Sequence, residues 1–209
     1  MQTRHRSIAG LLLSTLMLCS GTATAAQTPG KAIAPLRGTI DQVSDTSLQV
    51  SDRTGEKVVV KLNDKTQIFS VAKGSAEDIK PDSFIGTAAV PQANGSLKAL
   101  EVHVFAASLR GTGEGHSPWE SADGKINTMT NGTIGKLVNT NGRTLTVNYG
   151  DRQKNVIVPD NTPVVTIDPG DRSLLKPGAH VVLFSTTDDK GERVATRISA
   201  GKDGTVPPM

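Results

Sequence analysis

The sequence is nearly without cysteine and poor in aromatic rings. Of its 209 residues one is cysteine, Cys19, and the aromatics are four phenylalanines, one tryptophan and one tyrosine. Cys19 lies in an N-terminal stretch that reads as a secretory leader. The exported chain would then carry no thiol, which excludes a disulfide scaffold, thiol catalysis and a thiolate metal site. With so few rings, cores must be built from Val, Ile, Leu and Ala, and each is small. An excess of charge is missing too: Lys and Arg number 23 against 20 Asp and Glu. Removal of the leader takes away Arg4 and Arg6 and no acid, which moves the balance closer to zero. A near-neutral chain has no electrostatic footprint for nucleic acid or for an anionic membrane surface. After the leader, no apolar run approaches the roughly 20 residues that a spanning helix needs, so no membrane span is expected there.

The leader itself is built in three parts: Arg4, His5 and Arg6, then the apolar stretch from Ile8 to Cys19, then the small-x-small site Ala23-Thr24-Ala25. This order predicts cleavage before Ala26 or Gln27 and a periplasmic or secreted destination.

The mature chain says nearly the same thing twice. Arg37-Gly38-Thr39-Ile40 returns as Asn131-Gly132-Thr133-Ile134, and Gly74-Ser75 through Ile79-Lys80-Pro81-Asp82 returns as Gly170-Asp171 through Leu175-Lys176-Pro177-Gly178. Self-similarity of this kind marks two copies of one supersecondary unit. In the first copy, β-rich runs over Gly38 to Val43, Ser47 to Ser51, Lys57 to Leu62, Gln67 to Val71, Phe84 to Val90 and Leu97 to Val104 alternate with turn residues such as Arg53-Thr54-Gly55 and Asn94-Gly95. Ser75 and Asp171 are suited to cap a single helical turn, from which Ile79 and Leu175 plug the end of a barrel before Pro81 and Pro177 stop the turn.

The expected fold is all-β: two tandem six-stranded antiparallel barrels, OB-like or sandwich, joined by a Gly-rich linker. The boundaries are a signal peptide at 1–26, an N-terminal arm at 27–35, repeat 1 at 36–108, the linker at 109–130, repeat 2 at 131–201 and a tail at 202–209. The Gly-x-Ile opening of each unit, the Ile/Leu-Lys-Pro-Asp/Gly segment, and Gly95-Ser96-Leu97-Lys98-Ala99 with its counterpart Gly191-Glu192-Arg193-Val194-Ala195 resemble a secreted bacterial family, a domain of unknown function that occurs as tandem small β-barrels. That resemblance implies an architecture and no activity.

What recurs is glycine, proline and apolar pattern, so a site is expected where the copies differ. The unrepeated segment holds Arg110, Glu114, His116, Trp119 and Met129, and these are the candidate ligand or partner contacts. Trp119 is expected to dock between the units, because a large indole is seldom left in water. His103, alternating with Val102 and Val104, is expected to face solvent. No catalytic constellation and no cofactor motif is visible: Gly111-Thr112-Gly113-Glu114-Gly115 lacks the sixth-position glycine of a dinucleotide loop, and Ser108, Ser117 and Ser121 near His116 lie in no Gly-x-Ser-x-Gly elbow. The expected function is an exported, non-enzymatic binding or interaction module of the cell envelope, its partner an envelope protein or a small ligand. Two alternatives are a periplasmic metal-handling accessory using His116 with Glu114 or Met129 for a transition metal, and a hydrolase of unknown substrate.

Overall fold

Alternation of buried and exposed residues sets the strands. In Ser47–Asp52 (β2) Leu48 and Val50 are fully buried, and in Lys57–Lys61 (β3) Val60 is buried while Val59 is 60% exposed, the period-two pattern of a half-covered ribbon. Their counterparts in Arg143–Tyr149 (β10), Leu145 and Val147, are buried the same way. The computed structural model describes residues 32–120, 124–139 and 143–208; the signal peptide expected at 1–26 lies outside them.

The remaining strands are Ala32–Val43 (β1), Gln67–Lys73 (β4), Phe84–Pro91 (β5), Leu97–Ala99 (β6), Val102–Phe105 (β7), Gly115–Glu120 (β8), Ile126–Asn139 (β9), Arg152–Val158 (β11), Val164–Pro169 (β12), His180–Thr187 (β13) and Arg193–Gly201 (β14). The described residues are thus all-β apart from short 3₁₀ turns. The strands join in one 14-stranded mixed sheet.

The expectation of two barrels, each antiparallel and each made from its own repeat, is corrected by the pairing. β1, β2 and β3 are closed by β13 and β14 of the second copy, and β9, β10 and β11 by β5 and β6 of the first. Two five-strand circuits result, and each takes three strands from one copy and two from the other. The closing contacts are parallel and short, Val194 opposite Lys61 in one circuit and Val156 and Ile157 opposite Leu97 and Lys98 in the other. The fourth strand of each copy lies outside both circuits. β4 and β12 leave the circuits and pair with each other, with Val71 opposite Ile167. These two residues occupy corresponding positions in the copies, so a local two-fold axis passes between them.

The exchange is visible in the cores. Leu175 of the second copy packs with Ile40, Leu48, Val50 and Val60, whereas Ile79 of the first packs with Ile134, Leu145, Val147 and Val156. Each plug therefore seals the circuit built mainly from the other copy. Asp171 caps its turn as the sequence suggests, accepting from the Ser173 N–H at 2.7 Å, whereas at the other turn Asp78 accepts from the Ser75 N–H at 2.7 Å.

Two boundaries also change. Residues 109–130 are no linker in the extended sense, because β8 and the first part of β9 form a hairpin in which His116, Ser117, Pro118 and Trp119 pair with Thr130, Met129, Thr128 and Asn127. Pairing along the open edge of β9 satisfies the backbone groups of a segment whose composition reads as loop. The expected arm at 27–35 contributes to β1 from Ala32 onward by pairing with Thr186 and Ser185. Near the other end, Pro207 is buried.

Candidate functional site

The central strands β14, β4, β12 and β7 run side by side, with Ser199 next to Phe69, Val71 opposite Ile167, and Val165 next to His103. Alternation sends Ile198 and Val102 into the two circuit cores. The opposite face carries Phe69, Val71, Val165 and Ile167, a third and smaller core. The hairpin β8–β9 covers this face. Trp119 and Met129 line a cavity of about 40 Å³ together with Phe69, Ile167, Arg197, Ser199 and His103.

One chain of ring contacts ties the hairpin down. The Arg37 guanidinium lies 5.6 Å from the centre of the Trp119 ring, Trp119 lies 6.0 Å from Phe184, and the Arg197 guanidinium lies 4.0 Å above Phe184. Arg37 also donates from Nη2 to the Glu120 carbonyl at 2.8 Å. Burial lowers the pKa of both arginines; for Arg37 the neighbouring Arg53 adds to the effect. Trp119 thus belongs to a cation–aromatic stack reaching from β1 through β13 to β14. Trp119→Ala is expected to cost about 2 kcal/mol of stability in urea unfolding, while Trp119→Phe recovers about half of it.

His103 corrects the sequence reading. It is 1% exposed rather than solvent-facing, because β7 is bordered by both β5 and β12 and its outer face lies under the hairpin. Its Nε2 stands 3.0 Å from Oε1 of Glu101, itself 6% exposed. The approach has the distance of an ion pair without hydrogen-bond alignment, and both atoms lack a hydrogen-bond partner in the protein. Asn131 Oδ1 is a third buried polar atom without one. Its orientation is fixed, since Nδ2 of the same amide donates to the carbonyls of Thr112 and Gly113 at 3.3 and 3.1 Å. Gly86 lies in the sheet between His103 and Asn131, and a Cβ there would stand 2.5 Å from Asn131 Oδ1. Buried polar atoms without partners are uncommon and call for a reason; here three gather at one cavity or beside it.

Strand alternation divides the five candidate residues. Trp119 and Met129 face the cavity. His116 is on the other side of the hairpin, where Nδ1 lies 2.8 Å from the Thr130 hydroxyl and the ring stacks on Tyr149 at 6.0 Å. Burial, then the Lys154 charge, lowers its pKa. Glu114 accepts from the Gly150 N–H at 2.8 Å, and Arg110 donates to the Asp82 carbonyl at 2.6 Å and to Thr133 at 2.9 Å. The proposed metal set of His116, Glu114 and Met129 is therefore split between structural roles. Among the described residues no three His, Cys, Asp or Glu side chains are grouped to hold a metal.

Arg197, Ser199, Asn131 and the buried His103 were not singled out from the sequence as cavity residues. The signal lay in the comparison of the copies: Glu101 and His103 stand where the second copy has Arg197 and Ser199, a change of charge and type on strands otherwise matched in pattern. A wider groove of about 470 Å³ between Gly74, Asp160, Thr162 and the tail residues Val206 and Pro208 is floored by Val164 and Val165, and none of its polar side chains is buried.

Residues 37–103 match a family described as a domain of unknown function, DUF5666. The matched span runs from β1 into β7 and so coincides with the first copy of the repeat. It contributes β1–β3 to one circuit and β5–β6 to the other. No curated protein and no solved structure matches the chain.

Proposed function

We propose that the protein is an exported, non-enzymatic binding module of the cell envelope that takes a small ligand in the cavity beneath Trp119. The observation that carries this reading is the meeting of Trp119 and Met129, from the one unrepeated segment, with Arg197, Ser199 and His103 over the local two-fold axis. A concave site with apolar walls and a few convergent polar groups is the usual form of a small-molecule site. The leader composition supports export, and maturation before Ala26 or Gln27 yields a periplasmic or secreted chain. We further read the two circuits as OB-like barrels, since in each a three-strand meander is closed by a parallel contact to the last strand.

Trp119 is the only tryptophan, so its emission reports directly on the cavity. Mature protein titrated with short carboxylates, amino acids, monosaccharides and divalent metals is expected to respond saturably to one class. At a hundredfold excess over Kd, binding adds about 2.7 kcal/mol, which raises Tm by roughly 5–10 °C for a chain of this length. A protein whose Trp119 emission and Tm are unmoved by every class, or whose N-terminus is found uncleaved in the cytoplasm, overturns the proposal.

A further inference from the structure

We infer that the Trp119 cavity is a site for a small carboxylate carrying a hydrogen-bond donor on the carbon next to the carboxyl group. The inference rests on the binding role proposed above and assigns its ligand class.

Arg197 supplies the first half of the argument. Its guanidinium carbon lies 4.0 Å from the centre of the Phe184 ring, and the residue lines the cavity. Among the described residues no carboxylate pairs with it. A guanidinium presents its N–H donors as a planar fork that matches the two oxygens of a carboxylate. A cation withdrawn from water without a counter-ion is costly, and an anionic ligand removes that cost. Glu101, which holds the position corresponding to Arg197 in the other copy, faces His103 at 3.0 Å. Ser199, 2% exposed, brings a hydroxyl to the same cavity.

Asn131 supplies the second half. Its Oδ1 is buried, has no partner in the protein and belongs to a residue lining the cavity. Because the amide is anchored through Nδ2 to two carbonyls, this oxygen stays an acceptor and asks for a donor. Phe69, Ile167 and Met129 wall the remainder with apolar surface. The volume sets the size: about 40 Å³ holds on the order of three water-sized groups. A carboxylate with one neighbouring hydroxyl or ammonium group is the smallest molecule that carries both functions, whereas a sugar ring does not fit.

The test uses the full mature protein and three small probes: glycolate, which has both charge and donor; acetate, one heavy atom smaller, which lacks the donor; and glycolamide, which lacks the charge. The single indole N–H resonance and the emission of Trp119 are followed during titration. Glycolate is expected to saturate both signals, acetate to bind about tenfold more weakly, as loss of one buried hydrogen bond implies, and glycolamide to bind weakest of the three. Arg197→Gln is expected to abolish the glycolate response, and Asn131→Leu to remove the preference for glycolate over acetate. Because the three-probe comparison is made on unmodified protein, a variant that fails to fold does not blunt it. Equal binding of glycolamide and glycolate, or full glycolate binding by Arg197→Gln, overturns the carboxylate assignment and leaves the cavity a binding site. Trp119 signals that respond to none of the three overturn the carboxylate assignment, and response to another class in the wider titration then decides the binding role separately.

Discussion

Residues 27–110 and residues 111–209, prepared as separate polypeptides, are each expected to lack a cooperative monomeric unfolding transition, and to regain one when mixed in equal amounts. The reason is the exchange of strands. In the first polypeptide Ile40, Leu48, Val50 and Val60 present a buried face whose partners Leu183 and Ile198 belong to the second. The second is left with Leu145, Val147 and Val156 without Ile85, Leu97 and Val102. Circuits lacking two of five strands expose both an apolar face and unpaired edges, so essentially the whole stability, about 5–15 kcal/mol for a domain, is lost on separation. Since the copies share one pattern, either half at high concentration is expected to pair with itself and then to exchange into the one-to-one complex. Sedimentation with circular dichroism on each half and on the mixture reads this out. A dilute half that is monomeric and melts cooperatively would refute the exchanged arrangement.

The second large effect comes from two glycines that open the copies. A Cβ on Gly38 would lie 2.2 Å from the Ser51 carbonyl oxygen and 2.8 Å from Val50 Cγ1. On Gly132 it would lie 2.2 Å from the Asn148 carbonyl oxygen and 2.9 Å from Val147 Cγ1. In both cases the obstacle is the backbone of the neighbouring strand, which cannot swing aside as a side chain would. Gly38→Ala and Gly132→Ala are each expected to cost about 3 kcal/mol, lowering Tm by roughly 6–12 °C. Gly55→Ala provides the contrast. Nothing lies within 4 Å of its Cβ position, and only its φ of +88° resists substitution, a penalty of about 1–2 kcal/mol. Thermal melts that rank Gly55→Ala as the most damaging of the three would show that close approach is not what these repeated glycines provide.

These glycines mark what was legible in the sequence. Period-two alternation and turn residues located β2 to β5 to within two residues, since burial of Leu48, Val50 and Val60 depends on local pattern alone, while β1 begins six residues before Gly38 and the run from Leu97 to Val104 is divided into β6 and β7. Partnership did not follow from the same pattern. The faces of β1–β3 and β9–β11 are alike, so β5–β6 and β13–β14 satisfy either set, and nothing local states whether a copy closes on itself or on the other. Composition misled over the β8 segment, where Gly and Ser residues read as a linker but backbone pairing with β9 made a strand. The site was half legible. Trp119 and Met129 were found through rarity and lack of a repeat partner. Arg197 and Ser199 were hidden because they lie on a repeated strand, and His103 because burial of both faces of β7 arises only when three distant segments assemble.

The path of the chain through the two circuits has a mechanical consequence. β1 and β14 are the first and last strands among the described residues, and both belong to the circuit closed by β13. The other circuit is made wholly from intervening chain. Tension applied between the two ends therefore loads one circuit directly, while the second sits inside a closed excursion that bears no force until the first has come apart. Two nearly identical units thereby acquire unequal positions, one as the clasp and one as the sheltered bight of the same thread.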